Sequence, residues 1–355
     1  MAILPAGSFN TSKRVYTALK VGDVVEGGVE KVTRGLWSGN VGTLTSFHTS
    51  SAQSDIQKQY YYEVFDGIST GVTSESQFSV TYGHNQGSGS LGQNEDSPSN
   101  AIYSQYAQIL LPDNQRIFKF NNTSTQQIYA INLNRARLKD RLDPGNFELH
   151  LAKLDGNATP GIDSSNDVIS LIDNSGDTQQ AATQIGRVYS LISGSILDGA
   201  HPVADNVKEY GSVYPEQGVI VLNGDKLDLA GLNFGTNQSK NVNGDNAFRL
   251  FTSISGAAAI NANHGFAARN EERVQSTFYF VRAKNGEYNF SNNPSYTTGS
   301  NGAFKQTTFA NNPKSYITTV GLYNSTQELL AVAKLSKPIL KSFSNEVLVK
   351  VKLDF

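Results

Sequence analysis

The chain has 355 residues, enough for two domains or one large β domain that buries a substantial core. Its 29 basic and 31 acidic residues give a formal charge of -2 with neither sign concentrated, so the electrostatic footprint of a nucleic-acid binder is missing. With no cysteine, disulfides, thiolate nucleophiles, zinc-thiolate sites and iron-sulfur clusters are excluded.

The first residues, MAILPAGSFNTSKRV, break at Pro5 before an apolar signal-peptide core can form. No later stretch approaches the ~20 apolar residues of a membrane span. A protein without membrane partners, assembled in a cytoplasm, is the expectation. From Ser50 to Phe65, good capping residues are followed by Ile56, Tyr60 and Phe65 at near-helical spacing, which predicts a helix running into a strand. In Ser74 to Tyr82, Phe78, Val80 and Tyr82 alternate with Ser79 and Thr81, the pattern of a half-buried strand. After a Gly/Ser/Asn-rich loop, residues 99–111 place Ile102, Tyr106, Ile109 and Leu110 on one helical face, with Ser99 or Asn100 as N-cap and Pro112 just past the end.

RIFKF and QQIYAINLN then read as paired strands, and Asp143-Pro-Gly-Asn146 as a turn between extended runs. From Gly156 to Asp198 turn residues alternate with the apolar runs VISLID and VYSLISGSI. Val219–Leu222 and Lys226–Leu229 are expected to form a hairpin about Asn223-Gly224-Asp225. TFYFVRAK reads as a strand, ITTVGLYNSTQELLAVAKL as a hairpin, and EVLVKVKLDF as a closing strand with Val349, Val351, Leu353 and Phe355 on one face. The expected class is mainly β with a few short helices (α+β), in antiparallel sheets or a sandwich, with two domains. The expected divisions are a helix-plus-sheet unit over 1–155 completed by the C-terminal strands, an inserted β-rich domain over 156–250, and a C-terminal β unit over 251–355.

The motifs carry little chemistry. Gly87-Ser-Gly-Ser-Leu-Gly92 matches G-x-G-x-x-G, yet Gln93-Asn-Glu-Asp-Ser-Pro98 follows it, where a dinucleotide loop must open directly into a helix. His48, His84, His150, His201 and His264 stand singly, without a spacing that sets two on one helical face; His84, closing a strand, is expected to bond to loop backbone. Asp173-Asn-Ser-Gly-Asp177 lacks the downstream glutamate of a calcium loop and reads as a turn. Glu271 and Glu272 are adjacent, so a strand points them to opposite faces and they form no glycosidase pair. No catalytic, cofactor-binding or metal-binding residues are expected.

One local repeat remains: Phe290-Ser-Asn-Asn-Pro-Ser-Tyr296 is echoed by Phe309-Ala-Asn-Asn-Pro-Lys-Ser-Tyr316. Asn-Asn-Pro supports a turn, and the flanking rings can clamp the loops onto a sheet or present them to a partner. Candidate interface residues are accordingly Tyr60, Tyr61, Phe290, Asn292, Asn293, Tyr296, Phe309, Asn311, Asn312 and Tyr316.

The segments Asn40-Val-Gly-Thr-Leu-Thr-Ser-Phe47, QFSVTYGHNQGSGS, AIYSQYAQILL, INLNRARLKDRLDPGNFEL and YFVRAKNGEYNFSNNPSY, with the end of the chain from ITTVGLYN onward, resemble virion structural proteins of T-even-like myoviruses, especially those of cyanobacteria. Phe78-Ser-Val-Thr-Tyr-Gly83 and the ending from Lys337-Pro-Ile-Leu340 are similar to the baseplate wedge subunit that forms a two-domain, β-rich dimer. The resemblance implies a tail baseplate location in the virion, other tail or baseplate proteins as partners, homodimerisation and no catalytic residues. A receptor- or glycan-binding fibre module and a phage-borne polysaccharide or cell-wall hydrolase are the alternatives.

Overall fold

The structure, a computed structural model, describes residues 18–20, 22–49, 61–68, 74–91, 97–157, 161–176, 185–200, 210–229, 231–239, 245–290, 296–298 and 303–354. In chain order the first elements are β1 (Val24–Gly35), β2 (Thr43–Leu44), β3 (His48–Thr49), β4 (Tyr61–Phe65), β5 (Ser76–His84), α1 (Pro98–Leu110), β6 (Lys119–Phe120), β7 (Thr123–Ser124) and β8 (Gln127–Leu133). Then come α2 (Arg135–Leu138), β9 (Arg141–Ala152), β10 (Val168–Asp173), β11 (Tyr189–Ser195), β12 (Gly199–Ala200), β13 (Gly211–Tyr214), β14 (Val219–Asn223), α3 (Gly224–Leu229) and α4 (Asp245–Ile260). The last are β15 (Phe266–Ala283), β16 (Thr297–Thr298), β17 (Ala303–Phe304), α5 (Thr308–Asn311), β18 (Ser315–Tyr323), β19 (Leu329–Lys341) and β20 (Val347–Asp354). The protein is mainly β with short helices, as its alternating apolar pattern implies. Among the described residues no helix is long and apolar enough to cross a membrane.

Two units emerge, one of residues 1–30 with 273–355 and a larger one of residues 31–272. In the larger unit an antiparallel sheet runs β9-β10-β11-β13-β14-β8-β5-β4-β3, and the first residues of β15 pair with the free edge of β9. Residues 156–250, expected as an inserted domain, thus supply strands to the same sheet as β5, β8 and β9. Their turn-rich composition marks the connections between strands.

Both faces of this sheet are covered. Phe78, Val80 and Tyr82 of β5 and Tyr129, Ile131 and Leu133 of β8 belong to one core with Ala247, Leu250 and Ile254 of α4. Ile128 and Ala130 of β8 and Val219 and Val221 of β14 belong to another, with Tyr103, Tyr106, Ala107 and Leu110 of α1. β5 is therefore buried on both sides, not half-buried as its Ser/Thr alternation implies. Its even-numbered rings meet α4, while Thr81 faces α1 and reaches the Tyr106 hydroxyl.

Several local expectations change for physical reasons. Helix α1 starts at Pro98 with Ser97 as N-cap, because proline's fixed φ suits the first turn. Its buried face is Ser99, Tyr103, Tyr106, Ala107 and Leu110, leaving Ile109 50% exposed. Tyr103 draws that face round: its hydroxyl donates to Thr125 O at 2.9 Å and accepts from Phe118 N–H at 3.0 Å. RIFKF does not pair with QQIYAINLN. β6 folds back on the short β7, while β8 lies between β5 and β14. Asp143 to Asn146 form a bulge inside β9, where Leu142 pairs with Asn270 and Phe147 with Ala268. After β14 the chain enters helix α3 and makes no hairpin, since both edges of β14 are taken by β13 and β8; the Asn223 side chain accepts from Lys226 N–H at 3.3 Å. The strand half of the Ser50–Phe65 expectation is β4, and its helical half lies outside the described residues.

In the smaller unit β20 pairs with the second half of β15, from Ser276 opposite Asp354 to Ala283 opposite Val347. β18 and β19 form a separate two-stranded sheet, the expected hairpin. Ala283, Ile317, Val320, Val347, Val349 and Val351 make the core between them. On the other face of β20, Lys350 lies 3.8 Å from the Phe278 ring centroid and Lys352 binds Glu30 at 3.0 Å. Phe355 is outside the described residues.

Candidate functional site

The residues that looked chemical in sequence are absorbed by packing. In the glycine loop, a Cβ on Gly89 would stand 2.5 Å from the Asn246 amide and 2.7 Å from the Tyr82 ring, so glycine serves close contact there. The loop is pinned further by Ser90 and Ser99, whose hydroxyls bond to each other at 2.8 Å. His84 Nδ1 accepts from the Gln86 N–H at 3.0 Å and the Ser88 N–H at 3.4 Å, the loop-backbone role expected of it. Burial lowers its pKa, against the pull of the Asp225 carboxylate. Asp173 takes the Gly145 and Ser175 N–H groups at 2.9 and 3.0 Å, closing a turn onto the β9 bulge; Asp177 is outside the described residues.

Glu271 is buried and receives Arg141 Nη2 on both oxygens, at 2.8 and 3.0 Å, with Lys31 at 3.7 Å. Arg141 also meets Glu216 at 3.3 Å, and Lys31 pairs with Asp143. Both oxygens of the Glu271 carboxylate are thus engaged by cations, an arrangement that ties β9 to the first half of β15.

One pairing is invisible along the chain. His150 on β9 and His264, just before β15, stack with centroids 5.0 Å apart because the two strands are neighbours. His150 Nδ1–H donates to Gly265 O at 2.8 Å and its Nε2 is 3.2 Å from Glu148. Burial, reinforced by His150, lowers the His264 pKa. Among the described residues no group of histidine and carboxylate side chains is arranged to hold a metal ion.

Of the interface candidates, the Asn-Asn-Pro echo is brought together by its rings. Tyr296 meets Phe309 edge-on at 5.0 Å, so the first copy's tyrosine packs on the second copy's phenylalanine, and Phe290 stacks on Phe304 at 6.1 Å. Asn311 ends the single turn of α5 and Asn312 caps it, ahead of buried Pro313. Tyr316 is 59% exposed on β18. Tyr61 lies in the larger unit, paired with Thr81 and partly exposed. Tyr60, Asn292 and Asn293 are outside the described residues.

A second feature of the smaller unit was not foreseen. At the turn end of the β18–β19 hairpin, Leu329, Leu330 and Val332 are exposed, Leu330 by 68% and Val332 by 58%. Leu330 also lines an apolar cavity of about 510 Å³, with Tyr279 and Val281 of β15, Leu322 of β18, and Val349 and Leu353 of β20. The alternation of LLAVAKL announces a strand but not which face lacks a cover, since that depends on what packs on it. An apolar hairpin end of this kind can bind another protein by burial of area, without polar chemistry.

No protein-family model, no curated protein and no solved structure matches the chain.

Proposed function

We propose that the protein is a non-enzymatic structural component of a contractile-tailed phage virion, a baseplate wedge subunit that links neighbouring tail proteins and itself dimerises. The observation that carries the assembly half of this reading is the exposed apolar hairpin end, Leu329, Leu330 and Val332. Contiguous apolar side chains left in water mark a surface awaiting a partner. The phage half rests on the sequence resemblance over both ends and much of the middle of the chain. A weakly charged composition rich in Asn and Ser fits a baseplate, which must hold together and then rearrange on contraction. Wet interfaces of that kind are specific yet separable.

Leu330→Asp with Val332→Asp tests the reading. Both side chains are exposed, so the purified variant keeps its far-ultraviolet circular dichroism and unfolding midpoint. Its incorporation into tails, measured by quantitative blotting of purified particles, falls at least tenfold. Equal incorporation of variant and wild type would contradict the assignment of the surface. Hydrolysis of cell-wall or surface polysaccharide by the purified protein, lost on replacing one carboxylate, would contradict the non-enzymatic role.

A further inference from the structure

We propose that Asn285-Gly286, in the turn after β15, is a site of spontaneous chemical modification, at which the Gly286 peptide nitrogen attacks the Asn285 side-chain amide and the asparagine becomes aspartate or isoaspartate. The inference is independent of any role in a virion. A bond forms between Gly286 N and Asn285 Cγ as the Cγ–Nδ2 bond breaks, and the peptide proton leaves with the amide group as ammonia. Water then opens the five-membered imide at one carbonyl or the other. Either product sets a new carboxylate in the turn, and the isoaspartyl form lengthens the main chain by one methylene.

Four Asn-Gly pairs occur in the chain, and of the two that the structure describes this one is open to reaction. Glu287 N–H donates to Lys284 O at 3.0 Å and Lys284 N–H to the Glu287 carboxylate at 3.0 Å, which closes the turn and leaves Asn285 and Gly286 exposed at its tip. A Cβ on Gly286 would meet no atom within 4 Å, so nothing obstructs ring closure. Among the described residues neither the Asn285 side chain nor the Gly286 N–H makes a hydrogen bond, so electrophile and nucleophile are both free. The carbonyl between them is engaged: Asn285 O accepts from Lys341 Nζ at 3.0 Å and from Asn289 Nδ2 at 2.7 Å. Lys341 is itself buried and fixed by Asn289 Oδ1 at 2.8 Å and Ser342 O at 3.0 Å. Hydrogen bonds to a peptide oxygen draw electron density from the nitrogen and stabilise the deprotonated amide, the form that attacks. Asn223-Gly224 offers the contrast. The Asn223 side chain accepts from Lys226 N–H, and a Cβ on the buried Gly224 would stand 2.7 Å from Gln127. Asn243-Gly244 and Asn301-Gly302 lie outside the described residues.

To test this, the full chain is held in mildly alkaline buffer and its peptides are mapped by mass spectrometry, with fragmentation that separates aspartate from isoaspartate. Digestion in heavy-oxygen water marks any conversion during work-up. Asn285 should convert roughly tenfold faster than Asn223 in the folded chain, and at a similar rate once guanidinium unfolds it, because the two pairs then react in the same surroundings. Equal rates in the folded chain, or a difference that persists on unfolding, would overturn the proposal. Gly286→Ala, at an exposed position whose Cβ meets nothing, should keep the unfolding midpoint and slow conversion at Asn285 roughly tenfold, since a methyl group hinders the attacking nitrogen. Conversion as fast as in wild type would contradict the route. Lys341→Met keeps the buried stem and removes the donor; with its circular dichroism unchanged, it should convert several-fold more slowly. Faster conversion would show that the lysine holds the turn shut and contradict its activating role. The Gly286→Ala result stands whether or not the lysine variant folds.

Discussion

His84 shows how a single residue couples the glycine loop to pH. Its Nδ1 faces two backbone N–H donors, so a proton there would replace two hydrogen bonds with repulsion. Burial holds its pKa below the ordinary value of 6.5. An unfolded chain takes up that proton near 6.5 while the folded one resists, so stability is full above this pH and falls as pH drops below it. His264, lowered in the same way, contributes a slope of the same sign. Urea unfolding of wild type and His84→Asn at neutral pH and at about pH 5 checks this. Asparagine keeps an acceptor and cannot titrate, so the variant should lose less stability on acidification; an identical loss would contradict the role given to His84. Glu271 is the other residue on which much depends. Replacing it with Gln leaves the half-buried Arg141 with Glu216, 3.3 Å away, as its remaining carboxylate partner. Denaturant titration should show a loss of about 3 kcal/mol, the scale for breaking a buried pair.

At the scale of elements, the contact between α1 and β5 is made at Gly83. A Cβ there would lie 2.9 Å from Tyr103 N and 3.1 Å from its Cα, backbone atoms that cannot move aside without shifting the helix. Gly83→Ala should therefore lower stability by about 1–3 kcal/mol in equilibrium unfolding, the cost of overpacking; an unchanged midpoint would mean that α1 is not held as described. The same contact shows what local pattern can and cannot reveal. β5, β15, β20 and the β18–β19 hairpin were legible because alternation with period two is a property of each strand alone. Partner choice was not legible. β8 pairs with β5 and β14, and β6 with β7, because the sheet is completed by strands far apart in sequence. The helix after β14 went unread for the same reason: Asn223-Gly224-Asp225 makes a good hairpin turn, but no strand edge was left to accept a return. Within the chain, the Asn-Asn-Pro echo brings flanking rings together, Tyr296 on Phe309. The apolar hairpin end, the stacked His150 and His264, and the Arg141–Glu271 cluster arise from tertiary neighbours and carry no local signal.

For the whole molecule, a formal charge of -2 spread without runs in sequence favours, in the proposed role, recognition by shape and apolar burial over long-range steering. The exposed Leu330 and Val332 supply that burial in the smaller unit. In the larger unit, the dinucleotide-like loop, the Asp173 turn and Glu271 take part in holding the sheet. This combination underlies the proposed role as a building block of a phage tail. The most direct test is to locate the protein in intact particles by gold labelling of an epitope-tagged chain under electron microscopy. The account predicts label at the baseplate end of the tail in symmetric positions. Label along fibres, at the neck or on the head, or particles free of the protein, would contradict it.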